Sequence, residues 1–173
     1  PLPQDAAHRH VSGAARYIDD IPLPANTLHL AFGLSEVARG TLVSMDLAPV
    51  RAAAGVVAVL TAADLPCAND VSPSPSPEPL LATDTVHYVG QPLFIVIANS
   101  HLAARKAARL ADVTIAPLTA ILTVDAALAA NSRFEDGPRV YQRGDAGEAI
   151  EAAHHRLDGS IDIGGQEHFY LEG

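Results

Sequence analysis

An α+β fold is predicted by three patterns: a stretch of period-2 alternation, two short β-branched apolar runs, and an alanine-rich segment with helix-capping signals. Leu28, Leu30, Phe32 and Leu34 alternate with Thr27, His29, Ala31 and Gly33. Helical spacing would scatter such a set, so the pattern predicts a strand with its large residues on one buried face. Residues 55–60 and 92–98 are β-branched, apolar and bounded by Gly, Pro or Asn, which predicts core strands buried on both faces. After Asn99 and Ser100, either of which can cap a helix, residues 101–111 are rich in Ala and Leu. Arg105, Lys106 and Arg109 lie toward the end of that segment, where cations favour the helix dipole. A helix is predicted there, followed by a strand over 112–115 that Pro117 breaks. Two shorter helices are predicted, one starting at Thr123 and one over 146–154 with Ile150 on its apolar side. Ser72-Pro73-Ser74-Pro75-Ser76-Pro77-Glu78-Pro79 is read as an extended, solvated loop, because repeated proline removes donors and disfavours helix. Gly90-Gln91-Pro92 is read as a structural turn into the 92–98 strand, where a proline at the first position leaves the ladder intact.

With 173 residues the chain exceeds the commonest domain size, which suits one domain plus part of another. Its longest apolar stretches, 55–60 and 93–98, fall far short of the roughly 20 residues a membrane-spanning helix needs, so no membrane association is expected. No signal-peptide pattern or Asn-x-Ser/Thr acceptor occurs, which makes the cytoplasm the expected location. A net charge of -9, from 11 Lys plus Arg against 20 Asp plus Glu, repels phosphate backbones and argues against a nucleic-acid partner. No phosphate-binding glycine loop of either common spacing is present. One cysteine, Cys67, can form no internal disulfide and cannot supply an iron–sulfur cluster, which takes four thiolates. Any electron carrier is therefore expected elsewhere.

Residue by residue, few groups suggest chemistry. Glu167 and Glu172 are five apart and would point to opposite faces of a strand, so a paired-carboxylate mechanism is not supported. His154-His155, and His8 with His10, lack cysteine or carboxylate partners at zinc-ligand spacing. His168 fits a buried, hydrogen-bonded residue better than a metal ligand, and Cys67 fits a small buried thiol better than a nucleophile. Arg16 with Asp19 and Asp20 suggests a salt-linked turn facing solvent or a partner subunit. Gln166, taken alone, is a strand-end glutamine pairing with backbone.

Several ordered segments change that picture. His10-Val11-Ser12-Gly13-Ala14-Ala15-Arg16-Tyr17-Ile18-Asp19-Asp20-Ile21-Pro22 opens the series, followed by Gly55-Val56, residues 61–64 and Glu78-Pro79-Leu80-Leu81-Ala82. Tyr88-Val89-Gly90-Gln91-Pro92 and Ala103-Ala104-Arg105 come next, and Gly164-Gly165-Gln166-Glu167-His168-Phe169-Tyr170-Leu171-Glu172-Gly173 ends the chain. Together they resemble the molybdopterin-binding subunit of the xanthine dehydrogenase and aldehyde oxidase family of molybdenum hydroxylases. The Arg16-to-Asp20 region favours the xanthine dehydrogenases within it. A chain that starts at Pro1 without Met and stops inside a motif fits the front portion of a larger enzyme.

The resemblance implies an α/β hammerhead domain over residues 1–117, then a connecting segment and the first strands of a molybdopterin-binding domain over 118–173. It implies that Gln166 lies beside the molybdenum and donates its amide hydrogen to the apical oxo ligand without ligating the metal. An uncharged amide suits that work because it offers donors and does not titrate. Gly164 and Gly165 would let the backbone approach closely. The general base would lie beyond Gly173, so no catalytic residue is expected in this chain. The implied activity is oxidation of hypoxanthine and xanthine to urate by water-derived hydroxylation, with electrons leaving through 2Fe-2S clusters and FAD to NAD. Those groups would sit on a partner subunit or on fused domains, and the rest of the molybdopterin-binding subunit would complete the site. An aldehyde oxidase-type relative, or a non-catalytic α+β interaction or scaffolding module sharing only the fold, are the competing readings.

Overall fold

The structure, a computed structural model, describes residues 4–73, 77–133, 137 and 139–168. Its elements are, in order, helix α1 (Ala7–Ser12), β1 (His29–Leu34), β2 (Gly40–Asp46), α2 (Ala48–Arg51), β3 (Val56–Leu60), β4 (Thr85–Val86), β5 (Pro92–Ala98), α3 (His101–Ala108), β6 (Asp112–Pro117), α4 (Val124–Ala129) and α5 (Ala146–Ala152). The chain divides into two units, Pro24–Gly137 and the pair of segments Pro1–Leu23 with Pro138–Gly173.

In the unit Pro24–Gly137, β5 is the most apolar strand and occupies the centre of a three-stranded antiparallel sheet ordered β1-β5-β3. A strand reading Leu93-Phe94-Ile95-Val96-Ile97 has no polar face to offer water, so it lies between two neighbours. A second antiparallel sheet is ordered β4-β2-β6. Helix α3 starts where Ser100 Oγ accepts from the Ala103 N–H, at 3.2 Å, and lies against β1 and β5. Its small, fully buried Ala104 and Ala107 permit a close approach to the sheet. Val50, Val59, Val86, Leu93, Phe94 and Val96 fill the core, with Met45, Val113 and Ile115 of the second sheet packed against it.

The predicted strands over 55–60 and 92–98 and the helices after Ser100, Thr123 and Asp145 all form, each within a few residues of the expected limits, but β3 is not buried on both faces as expected, since Val57 is exposed. The 112–115 strand continues through Pro117, which sits at its end. β1 forms too, but its orientation reverses the expectation. Ala31 is half-buried and Gly33 buried on the core side, while Leu30, Phe32 and Leu34 are exposed. The cause is Phe94: Gly33 pairs with it across the ladder, and a Cβ at Gly33 would fall within its ring. The core side of β1 therefore has room only for small residues.

The Pro-rich loop is tied at its base. Asp70 Oδ1 accepts from the Ser72 N–H at 2.9 Å and the Glu78 N–H at 3.1 Å, and Val71 N–H donates to the Glu78 carbonyl at 2.9 Å. Residues 74–76 lie outside the described residues. Beside it, Asn69 donates Nδ2 to the Leu81 carbonyl at 2.7 Å and accepts the Leu81 N–H on Oδ1 at 2.9 Å. Leu81 has no exposed surface, so water cannot replace that amide. Asn69→Ala is expected to cost about 1–3 kcal/mol by leaving two buried backbone groups unpaired. Denaturant midpoints check this, and a loss under about 0.5 kcal/mol would show that Leu81 finds other partners.

Among its described residues, the unit Pro1–Leu23 with Pro138–Gly173 is sparse in regular structure. Helix α1 ends at Gly13, whose φ of 70 supplies the left-handed cap. Helix α5 is capped by Asp145, whose Oδ1 accepts from the Glu148 N–H at 2.9 Å. The apolar side expected around Ile150 is not buried: Ile150 is exposed, as is every residue of α5. Residues 153–168 form no helix or strand, so the strands expected before Gly173 do not occur among the described residues.

Candidate functional site

Gln166 lies in the irregular stretch after α5. It is exposed, and its amide has no hydrogen-bond partner among the described residues. Gly164 and Gly165 precede it with open space on the side where a Cβ would stand. The strand-end pairing that a glutamine offers in isolation is therefore not what this side chain makes. Glu167 and His168 are exposed as well, and the expectation of a buried His168 is not met. Glu172, the other half of the carboxylate pair considered above, lies outside the described residues, as do Phe169 and Tyr170.

No three His, Cys, Asp or Glu side chains among the described residues gather into a group that could hold a metal ion. His154 and His155 stack edge to face, with ring centroids 4.6 Å apart, rather than converging on a shared point. His10 leans on Tyr17 at 6.3 Å. Cys67 is exposed, contrary to the buried thiol expected, because the segment around it runs over the surface. Arg16 forms no ion pair among the described residues; the turn is closed instead by Asp20, whose Oδ2 accepts the Tyr17 N–H at 3.0 Å.

The residues of the Gly90-Gln91-Pro92 motif do structural work in the larger unit. Gly90 takes a φ of 89, which lets its N–H donate to the Ser35 carbonyl at 2.7 Å. Ser35 N–H returns a bond to the Gln91 carbonyl at 2.9 Å. The Gln91 side chain is buried, and its Oε1 accepts the His87 N–H at 2.7 Å. That network joins the end of β1 to the start of β5 and leaves no buried polar side chain unpaired among the described residues. Ser35 is an essential backbone partner in that network, and Asn69 separately holds Leu81; sequence patterning passes over both.

An open groove of about 750 Å³ runs beside β1, the C-terminal part of α3 and β6. Leu93, Phe94, Val113 and Ile115 line it, with Arg105, Arg109 and Glu36 at its edge. No nucleophile–base pair and no metal-binding group lies along it. The carboxylates with lowered pKa values are elsewhere. Asp64 is held down by the Thr61 backbone N–H and hydroxyl, and Asp70 by donors from Ser72 and then Glu78. Both are turn-closing groups in water, not candidate bases.

Residues 12–119 match the family model described as "Aldehyde oxidase and xanthine dehydrogenase, a/b hammerhead domain". Xanthine dehydrogenase 1 of Arabidopsis thaliana is 37% identical over 169 residues, covering 96% of this chain and 12% of that protein. Aldehyde oxidase 1 of Cavia porcellus is 41% identical over 181 residues, covering 99% of this chain and 13% of that protein. Among solved structures, quinoline 2-oxidoreductase from Pseudomonas putida 86 superposes with a TM-score of 0.73 at 27% identity, over 89% of this chain and 21% of that one. Aldehyde oxidoreductase from Desulfovibrio gigas does so with a TM-score of 0.72 at 27% identity, over 88% of this chain and 19% of that one. The chain thus spans about an eighth of the length of the curated relatives it matches.

Proposed function

From the premise that this chain belongs to the aldehyde oxidase and xanthine dehydrogenase family of molybdenum hydroxylases, we propose that it serves within a xanthine dehydrogenase-type large subunit acting on hypoxanthine and xanthine. The observation that carries the reading is the likeness to plant xanthine dehydrogenases across nearly the whole chain. In this reading the hammerhead unit is structural support, and the segment ending at His168 approaches the molybdopterin site. The rest of the subunit completes that site. An iron–sulfur and FAD subunit, or fused domains, carries electrons to NAD, and the assembly works in the cytoplasm.

The side chains present suit an accessory role at such a site and no more. No group of three or more His, Cys, Asp or Glu side chains that could hold a metal ion occurs among the described residues. An exposed, uncommitted amide at Gln166, after two glycines with open space beside them, can approach a bulky group and donate to it. When bound, the molybdenum–pterin group would supply the two-electron oxidation of the substrate. Gln166 would hold and orient that group without taking up a proton, since a carboxamide does not titrate in the working range. Proton transfer would fall to a base outside these residues.

Aldehyde oxidation is the second reading, favoured by the higher identity to Cavia porcellus aldehyde oxidase 1. Both readings are tested on the native assembly by elemental and pterin analysis, then by turnover of xanthine against an aromatic aldehyde. About one metal and one pterin per copy is expected, as for a cofactor that carries the chemistry, with preference for xanthine. Preference for the aldehyde would transfer the assignment to the second reading. Absence of both metal and pterin from intact material would leave a non-catalytic module.

A further inference from the structure

The helix-free face of the β1-β5-β3 sheet is apolar from edge to edge. Cross-strand pairing places Leu30 beside Ile97 and Phe32 beside Ile95, and on the other side Ile95 beside Leu60 and Ile97 beside Ala58. Directly paired residues share a face of the sheet. Leu28 extends the row at one end, and no charged or polar side chain interrupts these register positions. Leu30 is 55% exposed and Phe32 45%, flanking an Ile95 that is 8% exposed. The opposite face already holds the core, with Ala31, Phe94, Val96 and Val59 turned toward α3 and the second sheet. A sheet with large aliphatic side chains on both faces is the middle layer of a stack whose third layer is supplied from elsewhere.

We infer that this face is a permanent interface covered by an uncharged aliphatic surface of the remaining polypeptide of the same large subunit; this rests on the functional reading given above. Three observations choose that occupant. Relatives matched across nearly all of this chain are about eight times as long, so most of such a polypeptide lies outside these residues. Three strands about 4.8 Å apart, over some six residues, give a footprint on the order of 300 Å². That is well below the roughly 800 Å² per partner of a stable independent complex. A covalently attached neighbour need not reach that area, because tethering removes most of the association entropy. The lack of charge also differs from the polar rims of transient interfaces.

The test uses the full-length holoenzyme. Hydroxyl-radical footprinting read by mass spectrometry should oxidise Leu30 and Phe32 about 100-fold more slowly in the native protein than in the same protein in denaturant, reflecting their burial. Thr83, exposed and away from the strand register, serves as the position for a reference thiol. In a second measurement, Phe32→Cys should react with a neutral maleimide far more slowly than Thr83→Cys. The protection should persist in a fraction that sedimentation shows to contain one copy of the large subunit. Rapid labelling of both Leu30 and Phe32 would overturn the inference. Protection that vanishes when copies or other subunits dissociate would overturn it in favour of a second copy or another subunit. Metal and pterin are assayed on the same sample. Protection in material without either would leave the interface standing and sink the functional reading.

Discussion

Gly33→Ala is expected to destabilise the Pro24–Gly137 unit by about 3 kcal/mol, at the upper end of what one added methyl costs in a packed core. The site cannot relax cheaply. Gly33 is paired with Phe94 across the β1–β5 ladder, and the Phe94 ring occupies the position that a Cβ would take. Phe94 is itself 1% exposed and packed among core residues from both sheets, so its ring cannot swing aside without opening a void. Phe94→Ala alone should cost about 3–5 kcal/mol through lost burial and the cavity left behind. The two changes should not add. With the ring gone, the alanine methyl at position 33 enters the vacated space, and the double variant should fall short of the summed losses by more than about 1 kcal/mol. Denaturant unfolding at constant m-value measures all three. Strict additivity would mean that the ring and the glycine are not in contact.

That pair also explains what could and could not be read from the amino-acid sequence. Alternation at 28–34 correctly identified a strand, because a period of 2 is a property of the backbone. Choosing its buried face by size failed. The helix side of the sheet is close-packed with Ala31, Gly33, Ala104 and Ala107, and the large residues are left facing away. A single chain carries no mark of which of two apolar layers arrives from elsewhere. β2 escaped notice because a register shift between Leu42 and Ser44 breaks its alternation, and β4, two residues long, has no period at all. α2 is four residues with a proline at its start, too short for a helical stripe. The caps at Ser100 and Thr123 were legible because capping is local chemistry: one oxygen meets one N–H three residues on, as Asp145 also does ahead of α5. Asn69 was not, since tertiary folding brings Leu81 to its amide, and Ser35 was not, since its backbone N–H and carbonyl meet Gln91 and Gly90 from the distant turn ahead of β5.

Gln166 shows the same limit at the level of function. Its spacing from other polar residues suggests no mechanism, and only the family resemblance marks it out. Its surroundings nevertheless make the proposed role separable from a structural one. An exposed side chain without a described partner has little to contribute to stability, so Gln166→Ala should shift unfolding by no more than about 0.5 kcal/mol. If the amide donates to the molybdenum group, the same change in the full enzyme should slow reduction by substrate about 10–100-fold, the usual range for partners that orient a metal's ligands. Gln166→Glu keeps the length but exchanges donors for a charged acceptor. It should therefore be at least as slow as Gln166→Ala, and it should alter the absorption of the oxidised centre. Stopped-flow reduction at saturating substrate, on samples matched for metal content, separates these effects from loss of cofactor. A Gln166→Glu enzyme as fast as the wild type would remove hydrogen donation from the account, and an unchanged Gln166→Ala rate would remove Gln166 from the site altogether.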